Sequence, residues 1–378
     1  MATSASATDM ILTGGADEPL AHGGNLGAAR RLFPDAIEPF IDLSTGINPN
    51  PYPLPRFSPD LFARLPDPGA VGAVAAAAAR AYGAQSAAHV VPAPGTQILL
   101  PLVAGLVRAG RAAVLTPSYP EHARAAALAG HRVNPARELG ECGDAGFVIV
   151  ANPNNPDGRV FPRTALLALA KDLRRRGGVL VVDEAFMDVG PPGASLASDV
   201  ACGNVVVLRS FGKFFGLAGT RLGFAIAAPA LAARLRTALG PWAVSGPALA
   251  VGAKALADAI WIERTRRRME KAASRLDAML VGSGLDIVGG TSLFRLVRTP
   301  AAHSLFNHLG RAGIWVRTFL DHAEWLRFGL PANEAEWRRL NGAMASFPDN
   351  GKAVVRATAA ERKGRRVHGS GTDVDHLR

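Results

Sequence analysis

The sequence predicts an α/β fold: a large domain on a mainly parallel sheet, followed by a smaller α+β C-terminal domain. Three observations carry this. Short, wholly apolar runs alternate with helical stretches, as strands covered on both faces do. Polar residues gather just after those runs, where open α/β sheets bind ligands. After about residue 241 the alternation gives way to long helical stretches and then short strands, and 378 residues suit two lobes better than one core.

The elements follow in chain order. A short arm with the turn-rich His22-Gly23-Gly24-Asn25 runs to about Leu43, and a Pro-rich connector spans Asn48 to Pro53. Val90-Val91 is a strand leading to Pro94-Gly95-Thr96, which opens a helix from Gln97 to about Arg108. Ala112 to Leu115 is a strand ending at Thr116-Pro117-Ser118-Tyr119-Pro120, and Phe147 to Val150 one ending at Asn152-Pro153-Asn154-Asn155-Pro156. A helix from Arg163 to about Arg176 stops at Gly177-Gly178. Val179 to Val182 ends at Asp183-Glu184, and Val205 to Leu208 at Arg209-Ser210. A long helical stretch covers Ala248 to Leu280, with short strands around Ser292 to Val297 and Ile314 to Arg317. The expected division is 1–45 for the arm, 46–240 for the large domain and 241–347 for the small one. The stretch 348–378 is expected to be a disordered basic tail.

Composition narrows the class. Hydrophobic residues make up 48% and charged residues 19%, as in a soluble globular protein. No apolar run is long enough to span a bilayer, and Met1 to Gly15 lacks the pattern of a secretory signal. The two cysteines, Cys142 and Cys202, and the nine scattered histidines form no metal-ligand or disulfide pattern, so no metal and a reducing cytoplasm are expected. The net charge of +11 raises nucleic acid as a partner. Part of that excess lies in the tail and the rest is spread over Ala/Arg-rich helical stretches without interleaved aromatics, so no nucleic acid is expected. A positive field also draws in anionic substrates.

The most informative stretch is Ser210 to Gly223. Lys213 lies there among glycines and bulky apolar residues, just after an apolar strand. A lone lysine is more often a solvated loop residue, but a partly desolvated one is a carbonyl-attacking amine. Arg221 could supply a fixed charge for a phosphate. Gly95-Thr96-Gln97 at a helix start offers N–H groups and a hydroxyl to a phosphate, or serves as a simple cap. Tyr119 could present a ring face or only pack. Asn155 could be only a turn residue. Asp183 ends an apolar strand and needs a cationic partner. The acidic strand end also suggests a P-loop ATPase, but no Gly-x-x-x-x-Gly-Lys-Ser/Thr occurs.

In chain order, over roughly Asp42 to Leu330, these motifs resemble the fold-type I aminotransferase-like family, which depends on pyridoxal phosphate. The resemblance implies that Lys213 is the Schiff-base lysine and Asp183 the partner of the pyridinium. It implies that Asn155 bonds the ring oxygen, Tyr119 stacks on the ring, and Gly95, Thr96, Gln97, Ser210 and Arg221 hold the phosphate. Arg327 matches the arginine that grips the substrate's acidic end.

Within that family the arm at His22-Gly23-Gly24-Asn25, with Asp42 to Pro49, resembles the threonine-phosphate decarboxylases of cobalamin biosynthesis. That branch implies a small phosphorylated amino acid as substrate, a homodimer, and substrate contacts by His22, Gly23, Gly46, Asn155, Arg317 and Arg327. Phe186, three residues after Asp183, stands where aminotransferases usually carry a Tyr. The spacing from Arg317 to Arg327 is shorter than the family's. Histidinol-phosphate aminotransferase is the neighbouring alternative, and a non-catalytic nucleic-acid-binding protein the remote one.

Overall fold

The structure, a computed structural model, describes residues 22–348. The expected disordered tail, from residue 349 on, and the first 21 residues of the arm lie outside the described residues.

Thirteen strands occur among the described residues. The first is β1 (Ile41–Asp42). Then come β2 (Val90–Ala93), β3 (Arg111–Leu115), β4 (Arg132–Ala136), β5 (Phe147–Ala151), β6 (Val179–Asp183), β7 (Val205–Ser210) and β8 (Gly223–Ala227). The C-terminal part adds β9 (Asp286–Thr291), β10 (Phe294–Arg298), β11 (Ile314–Trp315), β12 (Arg317–Thr318) and β13 (Trp325–Gly329). Seven of them form the central sheet, in the order β2-β8-β7-β6-β5-β3-β4. Its pairings are parallel except for β8, which runs antiparallel to both β7 and β2.

Side-chain alternation explains the layers. Val148, Val150, Leu180, Val182, Val205 and Val207 enter one buried cluster, while Phe147, Ile149, Val181, Val206 and Leu208 enter another. Helices cover both faces, so every side chain of these runs but Val179, at the start of β6, is buried and the runs read as unbroken apolar sequence.

A third cluster joins the two ends of the chain. Ala29, Phe40, Ile41 and Leu43 pack with Phe294, Phe306, Trp315, Phe328 and Trp337. β1 pairs in parallel with β11, Ile41 opposite Ile314. A four-stranded antiparallel sheet, β12-β13-β10-β9, completes this part.

Three expectations change. The helix expected over Gln97–Arg108 is only Leu99–Gly105. The long stretch Ala248–Leu280 is two helices, Gly246–Ala257 and Ala259–Gly282. Asp258 leaves the helical conformation, accepts from the Trp261 N–H at 2.9 Å and caps the second helix. Finally, β1, β4, β8, β9 and β13 lie where no strand was expected. β4 contains Pro135 and lies at the sheet edge, where a missing N–H is tolerated.

Candidate active site

The site lies at the carboxyl ends of β5, β6 and β7, where the chain must leave the sheet and its polar groups are released from the ladder. Asp183 closes β6 and is 8% exposed. Its Oδ1 accepts from the Ala185 N–H at 3.1 Å. Its Oδ2 lies 2.8 Å from Nε2 of His122, which is 1% exposed. Sequence reasoning missed His122. It lies three residues after Tyr119, on the first turn of helix Glu121–Leu128, so one helical turn carries it behind the Tyr ring.

Lys213 lies on the short helix Phe211–Phe214, directly after β7. Its Nζ is 5.6 Å from the ring centre of Phe186. Phe186 meets Phe294 edge-on at 5.0 Å, and Arg327 lies 5.0 Å from the other ring. Each of these two touching rings thus lies against one of the two cations. Gly46 makes room for the rings, since a Cβ there would lie 2.9 Å from each. Burial lowers the Lys213 ammonium to about 8, helped by the repulsion of Arg327 and opposed by Asp183.

Arg327 is 7% exposed. It donates through Nη1 to Asn155 Oδ1 and through Nη2 to the Ser44 carbonyl at 2.8 Å, leaving a buried Nε with no partner. Burial, then Arg317, lowers it to about 9. The ten-residue spacing, shorter than expected from the resemblance, has a simple geometry: Arg317 on β12 is the cross-strand partner of Arg327 on β13. Opposed residues of an antiparallel pair share a face, so two guanidinium groups stand side by side. Like charges so placed repel, and the pair suits a ligand with two anionic groups.

Gly95-Thr96-Gln97 and Arg221, the residues expected to hold a phosphate, come together in one cup. Gly95 has φ +85°, and a Cβ on it would lie 2.7 Å from Arg221 Nη2, so only glycine lets the guanidinium approach this turn. Arg221 itself takes a left-handed conformation, φ 51°. Ser210 ends β7 opposite Gly223 and precedes the lysine helix. Tyr119 donates its hydroxyl to Gln97 Oε1 at 3.1 Å, and burial pushes it up to about 12.

The arm reaches the same site. His22 meets Tyr119 edge-on at 6.0 Å and lies 3.5 Å from Glu121. Gly24 N–H donates to Ser44 Oγ at 2.7 Å, and that hydroxyl to Asp42 at 2.6 Å. A side chain on Gly23 would collide with the Ser44 carbonyl. The structure thus gathers the residues singled out from the sequence around one strand-end cleft. Its orphaned buried Arg327 nitrogen and glycine-cleared cup fit an anionic ligand and a ring phosphate.

A family model described as aminotransferase class I and II matches residues 19–341. The chain belongs to this family. Its fold is the fold-type I aminotransferase-like one. A threonine-phosphate decarboxylase of Pseudomonas aeruginosa is 43% identical over 339 residues, covering 87% of this chain and 98% of that one. One from Sinorhizobium is 42% identical over 329 residues, covering 86% and 98%. Among solved structures, a histidinol-phosphate aminotransferase from Sinorhizobium meliloti, in complex with pyridoxal-5'-phosphate, aligns with TM-score 0.72 at 22% identity. It covers 93% of this chain and 99% of that one. The L-threonine-O-3-phosphate decarboxylase of Porphyromonas gingivalis aligns with TM-score 0.67 at 20% identity, covering 81% and 98%. At these identities the solved structures speak for the aminotransferase fold alone.

Proposed function

We propose that the protein is a pyridoxal-phosphate-dependent threonine-phosphate decarboxylase. It converts L-threonine O-3-phosphate to carbon dioxide and (R)-1-amino-2-propanol O-2-phosphate, the linker precursor of the cobalamin nucleotide loop. The carrying observation is the side-by-side Arg317–Arg327 pair beside Lys213, in a chain 43% identical to a threonine-phosphate decarboxylase.

Lys213, Asp183, Asn155, Tyr119, Gly95, Thr96, Gln97, Ser210 and Arg221 are the residues that would hold pyridoxal phosphate. When bound, it supplies an electron sink for the pair left as the Cα–carboxylate bond breaks. Asp183, held by His122 and the Ala185 N–H, keeps a proton at the ring nitrogen. Arg327 and Asn155 orient the carboxylate, and Arg317 with His22 takes the phosphate. Lys213 returns a proton to Cα once carbon dioxide has left. With its ammonium at about 8, about one Lys213 in ten is neutral at pH 7. An unperturbed lysine is neutral only about once in three thousand.

No helix among the described residues is long and apolar enough to cross a membrane. We infer that the protein works as a cytoplasmic homodimer. Leu54, Phe62, Leu65 and Trp242, between 58% and 70% exposed, surround a cavity of about 680 Å³. A second copy would cover this apolar face.

The test is carbon dioxide release from threonine phosphate with no keto acid present. Wild-type protein should release it, and Lys213→Ala should lose both the activity and the visible absorbance of the bound cofactor. Turnover of histidinol phosphate that depends on 2-oxoglutarate, without carbon dioxide release, would replace this reading with an aminotransferase.

A further inference from the structure

Glu121 has no part in the chemistry above, yet three groups converge on it. Its Oε2 accepts from Gln97 Nε2 at 2.9 Å. Its Oε1 lies 3.5 Å from His22 Nε2 and 3.7 Å from Arg124. Gln97 in turn accepts from the Tyr119 hydroxyl at 3.1 Å. One carboxylate therefore ties the N-terminal arm to the phosphate cup and to the ring that Tyr119 faces. Its side chain is only 15% exposed, against 38% for His22.

We propose that Glu121 is a positioning residue that selects phosphorylated over unphosphorylated substrate by holding the His22 imidazole beside Arg317, where the substrate's phosphate enters. The inference rests on the function proposed above.

The charges around His22 support the role. Burial lowers its pKa, and Arg317 and Arg124 lower it too; Glu121 is the group that opposes them. The Tyr119 ring faces it from the side. Without Glu121, the imidazole would lie against two arginines with no anion near it and would shed its proton at lower pH. With Glu121 in place, the incoming phosphate becomes the second anion and a protonated His22 can donate to it. Arg124 and Gln97 share the carboxylate's charge, which limits its repulsion of the phosphate. The signal lies in the sequence Tyr119-Pro120-Glu121-His122, where residues i+2 and i+3 from the stacking ring face the arm and Asp183 respectively.

The experiment compares wild type with Glu121→Gln, Glu121→Asp and His22→Asn. The His22 ring is followed by NMR titration of the full chain, with His22→Asn providing the assignment. Inorganic phosphate binding to the holoenzyme is measured by calorimetry, and kcat/KM is measured for threonine phosphate and threonine. In Glu121→Gln the His22 titration should move to lower pH. Phosphate affinity and the ratio of kcat/KM for the two substrates should each fall about tenfold, the cost of one charge-assisted contact. The loss should fall on KM and be largest between the two His22 titration midpoints, fading above both as the imidazole becomes neutral in either protein. Glu121→Asp should recover part of it, and Glu121→Gln should add nothing to His22→Asn. An unchanged His22 titration and phosphate affinity, or an equal loss on both substrates, would overturn the proposal. A wild type that releases no carbon dioxide would sink the reaction assignment, while the titration and phosphate binding would still decide the role of Glu121.

Discussion

Lys213 shows how one residue's environment sets its chemistry. Its ammonium is lowered from 10.5 to about 8, chiefly by burial, so the folded protein binds this proton less tightly than the unfolded chain. The cost is present in full below about pH 8 and disappears as the pH rises towards 10.5. Replacing the lysine by an apolar residue of similar length removes that cost. Lys213→Met should therefore stabilise the cofactor-free protein at pH 7. Complete conversion of the shift gives about 3 kcal/mol, and partial solvent contact of Lys213 reduces this to about 2 kcal/mol. Urea denaturation at pH 7 and at pH 10.5 checks this. The gain should vanish at the higher pH, and a gain independent of pH would contradict a buried, strained ammonium. At the same scale, Phe186 was legible as an unusual residue. Its contacts with Phe294 and with Lys213 across the chain were not, because nothing local encodes them.

At the scale of elements, strands buried on both faces were easy to read. Phe147–Ala151 and Val205–Leu208 carry no polar interruption. β8 begins with glycine and is rich in alanine, and β4 contains a proline, so neither has that composition. Asp258 was overlooked as a break because its capping role depends on where the next helix starts. The turn Asn154–Gly158, which carries Asn155, is fastened to β9. Gly290 N–H donates to the Asp157 carbonyl at 2.9 Å, and Gly158, with φ +71°, leaves no room for a Cβ against Gly290. Gly158→Ala should thus cost about 1–3 kcal/mol through backbone strain and steric displacement. It should also shift Asn155 from Arg327 and raise KM for threonine phosphate. Thermal denaturation and steady-state kinetics measure the two effects. Lost stability with unchanged KM would show that the turn does not carry Asn155 to the substrate.

For the whole molecule, the arm and the C-terminal part share one core. Leu43, Trp315 and Phe328 lie in a single buried cluster, and Gly329 N–H donates to the Leu43 carbonyl at 2.7 Å. Removing the arm would uncover that core, so the arm is structural as well as a contributor to the site. The apolar face around Trp242 belongs to the same scale. Trp242→Arg should convert a dimer to monomers, because a charge at the centre of an apolar interface loses its hydration on association. Light scattering after size exclusion would show this. A wild type that is already monomeric would remove the proposed role of that face.

The sequence alone determined the fold class, the strand ends that bear polar side chains, and the family. Residue type and period along the chain encode burial on two faces, and a lysine, a carboxylate and arginines carry their chemistry wherever they lie. Only the tertiary structure decided that Arg317 stands opposite Arg327, that His122 backs Asp183, and that Glu121 joins the arm to Gln97. Those pairings join separate elements. They depend on strand register, helix facing and the return of the arm to the C-terminal core, which no local stretch of sequence states. The short Arg317–Arg327 spacing, an oddity in one dimension, is one antiparallel turn in three.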